Sequence, residues 1–215
     1  MSSKVPGSSR DRVADRMWER WPLEPETATR ATIVEAAWQL ARRGDIREVT
    51  VQAVAQAAGV SRQAVYLHFG SRAGLLVAML RHHDAKSRFV HRLARDLRRS
   101  PSRDALEIWI RHWCRYLPQL MPVAGALAIE GIRDDAARTA FQDRMEHQLE
   151  GLRITFTALA DDGHLHPAWS PEQAADYLWS LLHVDSYRHL VDERGWRPVA
   201  FTERLVDVAK RIFLD

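Results

Sequence analysis

The stretch that most restricts the fold of this chain is "AAGVS", residues 57–61. It separates two runs whose apolar residues recur at helical spacing: Val54, Ala55 and Ala58 before it, Val65 and Phe69 after it. So short a joint permits only a tight turn, so the two helices must cross steeply. Ala55 and Ala58 are small enough to allow the close approach. Thr50 and Ser61 stand where N-caps are needed, and Gly59 suits a left-handed C-cap.

At ~100° per residue, Val65 and Phe69 point to one side of the second short helix. Gln63 and Leu67 point directly away, flanked by Ala64 and Tyr66, with Arg62 at the first turn and His68 at the end. A free surface helix would carry long solvated charges there. This face carries groups suited to the major groove of duplex DNA. Gln63 can pair bidentately with adenine and Arg62 with guanine, while Ala64 and Leu67 match thymine methyls. Thr50, Tyr66, His68 and Arg72 stand at the edges, where they can bond phosphates. The amides opening both helices, including the one that Ser61 begins, favour anions. This pattern predicts a helix-turn-helix with residues 61–69 as recognition helix.

The rest of the chain reads all-α, with no run that alternates long enough for a strand. A helix is predicted over 29–44, capped by Thr29, with Ile33, Ala36, Ala37, Leu40 and Ala41 as its stripe. A long helix is expected over 73–99 and another over 104–117. Pro118 and Pro122 predict a break before a short helix in "VAGALAIE". A long helix over 134–161, the loop "DDGHLHPAWSP", and helices over 171–193 and 199–214 complete the pattern.

Charge divides the chain. Residues 1–103 hold 19 Lys and Arg against 10 Asp and Glu, whereas residues 104–215 hold 12 against 18. No acidic residue occurs between Glu48 and Asp84. A basic front half predicts a polyanionic partner for that half. No apolar run reaches the roughly 20 residues that span a bilayer. The single cysteine, Cys114, excludes an internal disulfide framework and a Cys-based zinc cluster. With no secretory apolar stretch at the N-terminus, a reducing cytoplasmic location, beside the nucleoid, is the expectation.

The segment "TVQAVAQAAGVSRQAVYLHFGSRAGLL" resembles the DNA-binding signature of the TetR (tetracycline-repressor-like) family. The matching positions are Thr50, Ala55, Ala58, Gly59, Val60, Ser61, Tyr66, Phe69, Ser71 and Leu75. Gly70–Ser71–Arg72 departs from the Pro-Ser-Lys common in members, and Gly74 stands where an acidic residue is common. The resemblance implies an N-terminal arm or extra helix over 1–26, a helix-turn-helix domain over 27–75, and a larger helical ligand-binding and dimerisation domain over 76–215. It implies a ligand-responsive transcriptional regulator, a repressor on a palindromic DNA operator, acting as a homodimer.

Within 80–215, Trp109, Trp113, Tyr116, Met121, Met145, Phe156, Trp179, His183 and Tyr187 are candidates to line a pocket for a small-molecule effector. Each also sits at core spacing, so ordinary packing stays open as the alternative. The region from Trp113 to Met121, opened by its prolines, is the preferred pocket wall. Leu178, Leu181, Leu182, Leu190, Leu205, Val208 and Ile212 on the last two helices are candidates for a four-helix dimer seam. The arm carries Arg10, Arg12, Arg16 and Arg20 interleaved with acids, and Trp18 and Trp21 to pack it on the body.

No metal site or cofactor is expected: His82–His83 and His164 with His166 lack partners at ligand spacing. No G-x-S-x-G, H-E-x-x-H or phosphate-cradling glycine loop is present, so no catalytic residue is assigned. An all-α enzyme or adaptor that reuses the fold is the rival reading.

Overall fold

The computed structural model describes residues 27–44, 46–132 and 134–215; the arm with its arginines and Trp18 and Trp21 lies outside them. The described residues form helices and turns, with a single antiparallel bridge between Leu165 and Leu214. They divide into two compact units. One holds residues up to 88 together with 118–145, and the other holds 89–117 with 146–215.

The first unit begins with α1 (Ala28–Arg43). Thr27, rather than Thr29, caps it by accepting the Arg30 amide at 3.3 Å. The inward stripe is Ile33, Val34, Ala37, Trp38 and Ala41, so it is rotated from the alanine-rich one expected. The bulk of Trp38 sets this: its indole N–H donates to the Met79 carbonyl at 2.9 Å. A 3-10 turn, Ile46–Glu48, leads to buried Val49.

Next come α2 (Val51–Ala58) and α3 (Arg62–Phe69). Thr50 and Ser61 cap them as expected, accepting the amides of Ala53 at 3.2 Å and Ala64 at 3.0 Å. Gly59 is left-handed (φ 68°), and the following Val60 amide donates back to Ala55 O at 3.0 Å. That conformation favours glycine because a Cβ would crowd the backbone.

The helix expected over 73–99 is two helices, α4 (Arg72–Ser87) and α5 (Phe89–Arg99). Arg88 between them is left-handed (φ 50°), a conformation that costs a non-glycine residue roughly 1–2 kcal/mol. Burial of Phe89, stacked on Tyr116 with centroids 4.6 Å apart, offsets that cost.

A second difference concerns the prolines. Residues Ala105–Glu130 form one helix, α6, with Pro118 and Pro122 inside it. Each proline removes a backbone bond at about 3 kcal/mol. Leu117, Leu120, Val123 and Leu127 are all buried, which keeps the helix continuous where local preference would end it. α6 passes from one unit to the other at Leu117–Pro118.

α7 (Asp135–Asp161) starts at Asp134, whose carboxylate accepts the Ala137 amide at 3.0 Å. The expected helix over 171–193 is interrupted. α8 (Pro171–Leu181) ends, His183 recaps α9 (Val184–Tyr187), and a wider turn, Arg188–Glu193, follows. α10 (Pro198–Phe213) closes the chain.

Candidate nucleic-acid interface

Val65 and Phe69 anchor α3 in the first unit, and this anchoring fixes which face turns outward. Leu67 is 84% exposed and Tyr66 46%. Arg62 and Gln63 are exposed as well, whereas Ala64 and His68 are half-buried on the flanks. Thr50 and Ser61 use their oxygens as cap acceptors, which leaves each hydroxyl proton available to donate.

Two groups that local sequence signals do not reveal hold this helix. Arg30, on α1, donates to the His68 carbonyl at 2.6 Å and lies 4.6 Å over the Phe69 ring. It satisfies a carbonyl at the C-terminus of α3 with a charge of the sign that helix end favours. At the exit of α3, Gly74 is required by space. A Cβ there would lie 2.0 Å from the Phe69 carbonyl oxygen. The departure from an acidic residue at this position therefore reflects how tightly α4 folds back on α3.

Arg72 stands differently from its expected edge position. Its guanidinium donates to Val49 O and Ile46 O at 2.9 Å each and is paired with the Glu130 carboxylate. These bonds turn it inward, to tie the connector before α2 to the end of α6. Its neighbour Ser71 caps α4 through the Gly74 amide and donates to Asp134 at 3.5 Å. Asp84 and Arg144 form a further ion pair at 3.3 Å between α4 and α7. Burial pushes the Asp84 carboxyl up, against the pull of Arg144.

The effector candidates of the second unit fall in several clusters. In the second unit, Trp109, Trp113 and Tyr116 surround Phe89, with centroids 4.6–6.2 Å from its ring. Phe89 was not among the expected residues, because a lone aromatic at a helix break leaves no periodic signal. The Trp113 indole donates to Leu182 O at 2.8 Å. Phe156 belongs to another cluster, 5.1 Å from Phe213, which also meets Trp169 and Tyr177.

Tyr187 packs 5.3 Å from Phe201, and Trp179 lies 6.0 Å from His183. Met121 and Met145 fall in the first unit. The polar interruption near 183 is locally satisfied. His183 accepts the Asp185 amide at 3.3 Å, Asp185 pairs with Arg188 at 3.0 Å, and Ser186 donates to Ser180 O at 3.3 Å. These groups restart a helix. Beside the Phe89 cluster, His112 bonds Asp96 at 2.9 Å, and burial lowers the His112 pKa.

Two short capped helices around a left-handed glycine, the second showing an amide, a phenol and a leucine outward, define a helix-turn-helix protein of the all-α class. The family model "Bacterial regulatory proteins, tetR family" matches residues 33–79, the segment that contains this motif. No curated protein matches the chain.

Solved structures share its fold over most of its length. A transcriptional regulator from Saccharomonospora viridis in complex with choline is 20% identical, covering 86% of this chain and 97% of its own, with a TM-score of 0.72. A TetR-family regulator from Rhodococcus sp. is 22% identical, covering 86% and 99%, with a TM-score of 0.67. NalD of Pseudomonas aeruginosa, described as the secondary repressor of the MexAB-OprM multidrug efflux pump, is 24% identical, covering 86% and 96%, with a TM-score of 0.56. Among the described residues no helix is long and apolar enough to cross a membrane.

Proposed function

We propose that the protein is a ligand-responsive repressor in the cytoplasm that binds a palindromic operator as a homodimer. The observation that carries this reading is the outward face of α3, with Gln63, Tyr66 and Leu67 exposed over buried Val65 and Phe69. Arg62 and Gln63 read base edges, and Ala64 and Leu67 touch thymine methyls. Thr50, Ser61, Tyr66 and His68 bond phosphates and set the register. Residues 27–75 form the DNA-binding domain and 76–215 the domain for effector and self-association.

The effector is sensed by population shift. α6 carries Trp109, Trp113 and Tyr116 towards its start and Glu130, the partner of Arg72, at its end. An effector that favours one position of α6 therefore acts on Arg72, on the 46–49 connector, and so on the spacing of the recognition helices. Pro118 and Pro122 weaken α6 midway, where a helix bends most readily. The choline held by the Saccharomonospora viridis regulator and the repressor role of NalD support this reading.

Retention of a duplex selected from a random pool, followed through a salt series, tests the proposal. Affinity should fall steeply as salt rises, because phosphate neutralisation releases counterions. Gln63→Ala should cost roughly 1–3 kcal/mol of discrimination at one base position and little elsewhere. Equal loss on every duplex would show that Gln63 reads no base.

A further inference from the structure

The interior of the second unit is almost entirely apolar, yet it contains an amide without a hydrogen bond. Gln148, only 6% exposed, lies on the inward stripe of α7 with Leu152 and Thr155. Thr155 donates to Gly151 O at 2.8 Å and is satisfied. Neither Oε1 nor Nε2 of Gln148 meets a partner among the described residues. The indole N–H of Trp109, 1% exposed in the same unit, is in the same state. Burying an amide without a compensating bond is unfavourable, because the group gives up its bonds to water and gains none in return. A leucine of nearly the same volume would fill the position without that cost. A retained polar group of this kind marks a place where something else supplies the bonds.

The surrounding groups limit what that partner can be. Among the described residues, the other buried polar side chains of this unit are Ser102 and Thr155, neither of them charged, and Arg144, buried one turn before Gln148 on α7, is paired with Asp84 at 3.3 Å. Beside the aromatic cluster, His112 is bonded to Asp96, which also accepts from Arg95. An anionic or cationic ligand would have to compete with pairs that are already made, at a large desolvation cost. Phe89 and Tyr116 are stacked on each other, which withholds the facing side of each ring from a cation. A glutamine amide offers one acceptor and two donors side by side, and its complement is another amide-type group.

We infer that Gln148 is the polar anchor of the effector site, and that the effector is an uncharged, largely apolar molecule carrying an amide or lactam donor–acceptor pair. This rests on the reading of the chain as an effector-responsive regulator, and it adds the anchor and the ligand class.

Three probes that share one ring and differ in charge test the inference on the full chain: benzamide, benzoate and benzyltrimethylammonium. Titration calorimetry should give saturable binding of benzamide, with Kd on the order of 1 mM for a ligand this small, and weaker or no binding of the charged pair. Gln148→Leu should weaken benzamide at least tenfold. It should also raise the thermal midpoint by a few degrees, since it removes an unpaired buried amide. Gln148→Asn, which keeps the amide but withdraws it, should fall between the two in affinity.

The inference is overturned if none of the three probes binds, if either charged probe binds as well as benzamide, or if Gln148→Leu leaves benzamide affinity unchanged. A lower midpoint for Gln148→Leu also overturns it, because the amide would then be serving the fold. Duplex binding measured on the same samples separates the two levels. If it persists while the probe results fail, the anchor is wrong and the regulator reading stands; if duplex binding is absent, the regulator reading itself fails.

Discussion

Arg72 shows how a single side chain can be placed by chemistry that its own neighbourhood does not display. In the sequence it stands one turn past the recognition helix, in a basic stretch, where a phosphate contact is the natural expectation. Folded, its guanidinium meets two backbone carbonyls before α2 and the Glu130 carboxylate. Arginine alone has the planar fork to hold three acceptors at once. Arg72→Ala should therefore lower stability, by ~1–3 kcal/mol for charge-assisted bonds left unmade, and weaken duplex binding on all sequences alike. Glu130→Gln, which removes no group facing DNA, should reproduce part of both losses. Thermal melts and duplex titrations of the single and double variants measure this. Additive effects would show that the two residues are not coupled.

Among the elements, α4 is tightly held where it begins. Its start is pressed against α3 so closely that Gly74 admits no Cβ, and Gly74→Ala should cost ~1–3 kcal/mol through forced backbone movement. Chemical denaturation reads the loss. A variant as stable as the parent would mean that the turn relaxes freely. Further along α4, His83 packs 5.0 Å from the Trp38 ring. Burial, aided by the positive charges of Arg42, Arg144 and His82, pushes its pKa down to about 4.

The unfolded chain takes up that proton near pH 6.5, whereas the folded one does not until near pH 4. The contribution of His83 is thus complete above pH 6.5 and is lost as pH falls through that window. The thermal midpoint should drop between pH 7 and pH 5 and drop less in His83→Phe. Equal drops would place the acid sensitivity elsewhere.

For the whole molecule, self-association requires apolar surface that the protomer does not use. Leu178, Leu182 and Leu205 are buried within the protomer and hence unavailable for a seam. Leu181, Leu190, Val208 and Ile212 remain half-buried, and Tyr177, Trp196 and Val199 are exposed on or beside α8 and α10. Val208→Asp should shift the protein to monomers in sedimentation and weaken binding to a palindrome far more than to a half-site. An unchanged sedimentation coefficient would remove α10 from the interface.

What the sequence by itself determined is whatever depends on a few adjacent residues. The caps at Thr50 and Ser61, the left-handed Gly59, and the side of α3 that faces inward follow from side-chain reach and helical period, both of them local. What only the tertiary structure decided depends on partners far along the chain or on burial strong enough to override preference. Pro118 and Pro122 stay helical because their neighbours are buried, and Arg88 breaks a helix so that Phe89 can stack. Arg30 reaches across 38 residues to α3, and Arg72 reaches 58 residues to Glu130. Pairings at that range leave no periodic trace in one sequence, since their free energy appears only when the chain closes on itself.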